Sequence, residues 1–285
     1  MSSHQLKLKL APWALLTVSA SWGLAFVLMK GPIARQSVSN FLFDRFSLAV
    51  IVMLALRPQV VRLFTKELLF KGFGAGLFLG SGYMLQTMGL ERTGAAVTGF
   101  ITGLYVVATP LIAALFLKER ITKLTWACVF LATIGMGFLS LHGWSVGIGE
   151  LYVFASAIAF GAHIVALSRW STGRDAYAMT IVQLSACALL SSVFAAREGF
   201  MAPPDGEVWL VVLFTAVICT AVAFMVQTWS QAHMSATKVA VILTMEVVFA
   251  ALFAVLFGGE RLSAQVLIGG VMVIIAMYII VIKES

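Results

Sequence analysis

The chain has 285 residues, 61% of them hydrophobic and 11% charged, with a mean hydropathy of +1.01. A water-soluble domain carries about 25% charged residues, so a soluble globule is excluded and a lipid-facing surface is expected. The net charge of +7 is scattered between apolar spans, so it reads as a topology signal and not as a nucleic-acid face.

Runs of ~17–25 apolar residues divide the chain into ten spans. The first five lie at roughly 12–29, 39–56, 68–88, 94–116 and 124–141. The second five lie at roughly 147–167, 176–195, 207–229, 236–257 and 263–282. The first run starts near Pro12, is long and lacks a small-x-small cleavage site, so it is read as a span and not as a cleavable signal. Connections are short and leave no room for a soluble domain. With the amino terminus inside, 13 of the 19 lysines and arginines fall on inside segments, which predicts a multi-pass protein with both termini in the cytoplasm.

Within these spans Gly76 and Gly80 of the third, Gly135 and Gly137 of the fifth, and Gly269 and Gly270 of the tenth permit close helix approach. Pro110 in the fourth removes a backbone donor and is expected to kink that helix. Its counterpart in the ninth is Ala251, so the two helices need not bend alike. Cys128, Cys187 and Cys219 all lie in apolar runs without CxxC spacing, which predicts neither disulfides nor a metal site.

The chain is also doubled. A shift of 141 residues lays Ala95–Arg120 on Ala236–Arg261, with Glu119-Arg120 on Glu260-Arg261, Val106-Val107 on Val247-Val248 and Gln86-Thr87 on Gln227-Thr228. Five spans per half is an odd number, so the second half enters the membrane inverted. Inverted repeats are a common transporter architecture, with the substrate near the midplane. The fold expected is therefore an all-α integral membrane protein, ten transmembrane helices as two inverted five-helix repeats, 1-145 and 146-285.

Several segments resemble the EamA-like transporters of the drug/metabolite transporter superfamily. They are ALLTVSASWGLAF, FLFDRFSLA and QTMGLERTGAAVTGFITGLYVV…P…KER in the first half. In the second they are AIAFGAHIVALSRW and QTWSQAHMSATKVAVILTMEVVFAALFAVLFGGER. The resemblance covers nearly the whole chain. It implies two inverted five-helix repeats that move small organic metabolites across an inner membrane, more often outward, with amino acids among the substrates of such proteins. The family often has Glu-Pro where this chain has Glu246-Val247, so no proline-induced break is expected beside the acid.

Glu246 carries the strongest functional case. At ~1.5 Å per residue it lies ~15 Å into the ninth span, about half of the ~30 Å hydrocarbon layer. An acid at that depth costs ~2.5–3.5 kcal/mol on the lenient insertion scale. In a cavity it can take up and release a proton or meet a cationic group; the bland reading is a structural acid bonded to neighbouring hydroxyls. Tyr105 is its repeat counterpart. Gln86 and Gln227 are equivalent residues of the third and eighth spans, and an amide in lipid would go unsatisfied, so both should face inward. They either bind substrate or bridge helices.

His163 in the sixth span is a second proton-coupling candidate, or a packing histidine. Trp22 and Tyr83, with Trp229, are candidate aromatic lining. Arg45 is expected near the outer end of the second span, snorkelling to the interface, with an anion-attracting role as the less favoured reading; its counterpart under a shift of 138 is Gln183. Glu119 and Glu260 end the fourth and ninth spans before the capping residues Thr122 and Ser263 and read as structural punctuation.

These readings point to a secondary transporter, not an enzyme: an exporter of a small metabolite such as an amino acid, working by alternating access around a midplane cavity. It is expected to be a monomer in the bilayer, with no cofactor and no nucleic-acid partner, and with protons as a candidate coupling ion. The alternative is proton-coupled efflux of lipophilic or aromatic cations. A lipid-modifying intramembrane enzyme is remote, because Glu246 is the lone acid deep in a span. A receptor or scaffold leaves the duplication unexplained.

Overall fold

A computed structural model describes residues 3–117, 123–142, 145–233, 239 and 242–284. Glu119, Thr122 and Lys238 fall outside the described residues. What is described is overwhelmingly α-helical, as it must be where no water is available to the backbone. The helices are α1 (Ser3–Arg35), α2 (Val38–Leu56), α3 (Lys66–Leu90), α4 (Ala95–Thr102), α5 (Tyr105–Leu117), α6 (Lys123–Ser140), α7 (Ile148–Trp170), α8 (Ala176–Glu198), α9 (Gly206–Ala216), α10 (Ala223–His233), α11 (Met245–Leu256) and α12 (Ala264–Glu284). A two-residue ladder, Leu141 opposite Val146, joins α6 to α7.

Among the described residues seven helical stretches are long and apolar enough to cross a membrane; 245–256 and 264–276 are shorter apolar helices. Polar caps set the starts. The side chains of Ser37, Thr65, Asp175 and Asp205 accept from the amides of Asn40, Leu68, Ala178 and Val208. Ser263 accepts from Val266 at 3.2 Å, as its capping role requires.

The dominant packing is between the two halves of the chain. α3 lies against α7 and α8, α2 against α8, α1 against α11, α4 and α5 against α7, and α6 against α12. Small residues let these helices touch. Gly76 faces α8 so closely that an added Cβ would stand 2.4 Å from the Gln183 carbonyl oxygen, in line with the close approach expected of that glycine. Gly23 faces α11, where a Cβ would stand 2.7 Å from the Ala250 amide. Because backbone cannot yield, Gly23→Val should push α1 off α11. The expected cost is about 1–3 kcal/mol, read as a lowered melting temperature of the purified protein in detergent.

Polar contacts gather at two ends of the bundle. At one, Arg35 pairs with Asp205 at 2.8 Å, Ser39 donates to Glu198, and the Met201 amide donates to Asn40 at 2.9 Å. At the other, Arg57 pairs with Asp175 at 3.1 Å and Arg174 with Glu67. Glu260 does more than end a helix. Its carboxylate accepts from the amides of Ala95 at 2.6 Å and Ala96 at 3.3 Å, capping α4 from 165 residues away, where the helix dipole favours negative charge.

Candidate functional site

Both helices that carry the central candidates are interrupted, and at equivalent points. The fourth span breaks at Gly103-Leu104, between α4 and α5. The ninth breaks at Thr244, 141 residues on. In each, a three-residue hydrogen bond replaces the four-residue one: Val106 N to Gly103 O at 3.1 Å and Val247 N to Thr244 O at 3.0 Å. Pro110 does not set the break; α5 runs through it, and the interruption lies seven residues earlier. Nor does α11 need a proline beside its acid. Tyr105 and Glu246 therefore each stand at the start of a half-helix, and the first turn of a helix is where a carboxylate is best tolerated.

Seven site candidates line one cavity between α1, α2, α3, α4, α5, α7, α10 and α11: Glu246, Tyr105, Gln86, Gln227, His163, Trp22 and Tyr83; Trp229 is not among its lining residues. At about 40 Å³ it has room for a few waters, since one needs ~10–15 Å³. It is far below the ~300–1,000 Å³ of a ligand pocket.

Arg45 corrects the sequence reading. It does not snorkel to an interface: it is 1% exposed and lines the same cavity as Glu246, itself 5% exposed. Its Nε donates to Thr220 Oγ1 at 2.7 Å, one Nη to the Cys219 carbonyl at 3.4 Å, and its guanidinium lies 4.8 Å from the Tyr83 ring centre. The receiving carbonyl belongs to a π-helical segment, Val217–Val222, between α9 and α10. Widening of this kind reshapes the backbone bonding and is frequent at functional sites. Trp22 Nε1 donates to the same Cys219 carbonyl at 2.7 Å. Among the described residues, no ion pair joins Arg45 or Glu246 to any partner within 4.0 Å. A guanidinium and a carboxyl group thus share a buried cavity without direct contact between them.

The amides are held in fixed senses. Gln231 donates to the Ile164 carbonyl at 3.3 Å, so its oxygen is the acceptor for Gln227 Nε2 at 3.1 Å. Gln227 Oε1 is then left without a partner, as is the Tyr105 hydroxyl. Gln86 donates to Thr102 at 3.1 Å. Gln183 donates to the Met179 carbonyl at 3.2 Å, so its oxygen accepts from His163 Nε2 at 2.8 Å. That network assigns the neutral His163 its proton on Nε2, leaving Nδ1 to take any further proton. Gln183, the positional counterpart of Arg45, is thereby a partner of His163.

The EamA-like transporter family profile matches residues 9–141 and again residues 147–282, nearly the whole chain. The chain belongs to the EamA-like transporter family. An uncharacterized transporter of Archaeoglobus fulgidus is 34% identical over 273 residues, covering 95% of this chain and 85% of that protein. A solved crystal structure at 16% identity superposes with a TM-score of 0.65 over 97% of each chain, a likeness of fold alone. The protein is thus a multi-pass membrane transporter.

For such a transporter the aromatic lining is already engaged. Trp22 packs on Phe224 with ring centres 5.4 Å apart, and Tyr83 meets Phe46, Phe160 and Phe224 edge-on at 5.3, 5.4 and 5.9 Å. Arg45 covers one face of Tyr83. The aromatic cluster therefore forms a wall to pack against, with one of its faces taken by an internal cation. Arg45 was missed because an arginine seven residues into a span reads as a snorkel. Its polar counterpart Gln183, at the same depth of the seventh span, is the signal that could have found it.

Proposed function

We propose that the protein carries small zwitterionic metabolites, amino acids foremost, through the cavity that holds Arg45 and Glu246. The carrying observation is that a buried guanidinium and a buried carboxylate line one cavity without forming an ion pair. Each buried charge is costly alone. A substrate bearing both a carboxylate and an ammonium on one carbon offsets both, with its side chain against the wall of Trp22, Phe160 and Phe224. A lipophilic cation is the weaker reading, because it would have to approach Arg45 and find the Tyr83 face already covered.

The mechanism in this reading is export by alternating access, with two inverted five-helix repeats, 1-145 and 146-285, moving about the cavity. Contacts related by the repeat support it. The first span packs on the ninth as the sixth does on the fourth, and the third on the sixth as the eighth does on the first. The two equivalent helix breaks are of the kind that transporters use at their sites. Removing buried Arg45 from the outside tally strengthens the charge bias toward cytoplasmic termini in the inner membrane. A single chain encloses the cavity, which favours a monomer.

Proteoliposomes holding the purified protein test the reading with a labelled panel. Uptake of amino acids with aromatic or large apolar side chains is expected, and little uptake of quaternary aromatic cations. Cation uptake without amino-acid uptake would overturn it.

A further inference from the structure

Resting on the zwitterion reading, we propose that Glu246, Tyr105 and Gln227 form a three-oxygen site that reads the N–H bonds of a primary ammonium group and so excludes N-methylated amines. The three side chains come from α11, α5 and α10 and line the same cavity. Their polar ends are unspent. The Tyr105 hydroxyl and Gln227 Oε1 are buried without a hydrogen-bond partner, on residues only 4% and 2% exposed. Among the described residues, no hydrogen bond is directed to the Glu246 carboxylate either. Buried polar groups are nearly always paired, so two orphans beside an unpaired acid mark a place where a ligand's donors belong.

The sense of these groups selects the ligand. A carboxylate accepts only, and a tyrosine hydroxyl can accept. Gln227 is forced to present its oxygen, because turning its amide over would set that oxygen against Gln231 Oε1, which the Ile164 carbonyl already fixes as an acceptor. Three acceptors match the three donors of a primary ammonium. Each methyl on the nitrogen removes one donor and leaves one buried oxygen orphaned, and sites built to bond a substrate N–H reject analogues lacking it strongly. An aromatic cage, which suits quaternary ammonium, would have the opposite preference. In the same cavity Arg45 keeps donors to spare: three of its N–H groups face Thr220, Met29 and Cys219, and two of its five remain for a carboxylate.

Titration calorimetry on the intact protein in detergent tests this with phenylalanine, N-methylphenylalanine and N,N,N-trimethylphenylalanine, beside phenethylamine and its trimethylammonium form. The expected wild-type result is a stepwise loss along the series, tenfold or more for the trimethyl compound. Tyr105→Phe removes only an unpartnered hydroxyl, so it should fold as well as the parent and cut that ratio to a few-fold; Gln227→Leu should do likewise. Trimethyl compounds binding as tightly as their parents would overturn the proposal, as would a ratio unchanged in both variants, or sodium ions alone raising the melting temperature through the same residues. If phenethylamine binds with this discrimination and phenylalanine does not bind, the zwitterion reading falls and the ammonium site stands. If neither series binds, both fall.

Discussion

Arg45→Gln should cost about 10–100-fold in uptake of a carboxylate-bearing substrate such as phenylalanine, and raise the uptake of phenethylamine, which lacks the carboxylate. A hydrogen bond to a charged group contributes about 1.5–3 kcal/mol, and each ~1.4 kcal/mol is tenfold in affinity. The reversal of preference is the informative part. Removing a cation that repels an incoming amine helps phenethylamine while it hurts the zwitterion. If Arg45 served only to hold Thr220 and Cys219 of the π-helical segment, both substrates would fall together and the melting temperature with them. Arg45→Lys should recover little, because a point charge lacks the planar fork that binds a carboxylate two-handed. Uptake assays in proteoliposomes, with thermal melts of the same preparations, separate these outcomes.

How Arg45 escaped the sequence reading shows where such reading ends. The duplication was legible because Gln86 recurs as Gln227 and the Glu-Arg pair at 119–120 recurs at 260–261. An amide or an acid surrounded by apolar residues has only one tolerable direction, inward. That argument collected Glu246, Gln86 and Gln227, and the repeat added Tyr105; the structure brings all four to one cavity. An arginine is different, because its long stem can reach an interface from several positions; only the packing of α2 on α8 and on the π-helical segment turns it inward.

The helix breaks were hidden for a related reason. Gly103 and Thr244 share no residue type, and neither interruption falls at Pro110. What they share is a position in the repeat, and the choice of a tighter turn there is made by tertiary packing. Ala250 of α11 lies so near Gly99 that an added Cβ on the glycine would stand 2.5 Å from the alanine's own. With α1 also close to Ala250 at Gly23, α11 has little freedom, and the backbone turns where it can. Glu260 likewise reads as a helix end until the fold brings α4 to it.

Glu246→Gln should reduce efflux of phenylalanine from loaded proteoliposomes at least tenfold and leave what remains indifferent to external acid. In the wild type, acidifying the outside should accelerate efflux. The reason is competition at one carboxylate: ionised, Glu246 holds the substrate ammonium, and a proton arriving from outside displaces it. Glutamine keeps the size and a carbonyl oxygen but can carry neither the charge nor the proton. Residual efflux that still quickens with external acid would remove Glu246 from proton coupling. If that response then vanished in His163→Gln, the proton would belong to His163, entering at Nδ1 because Gln183 holds Nε2 as a donor. The two residues line one cavity, so the two variants test the same event at two of its side chains.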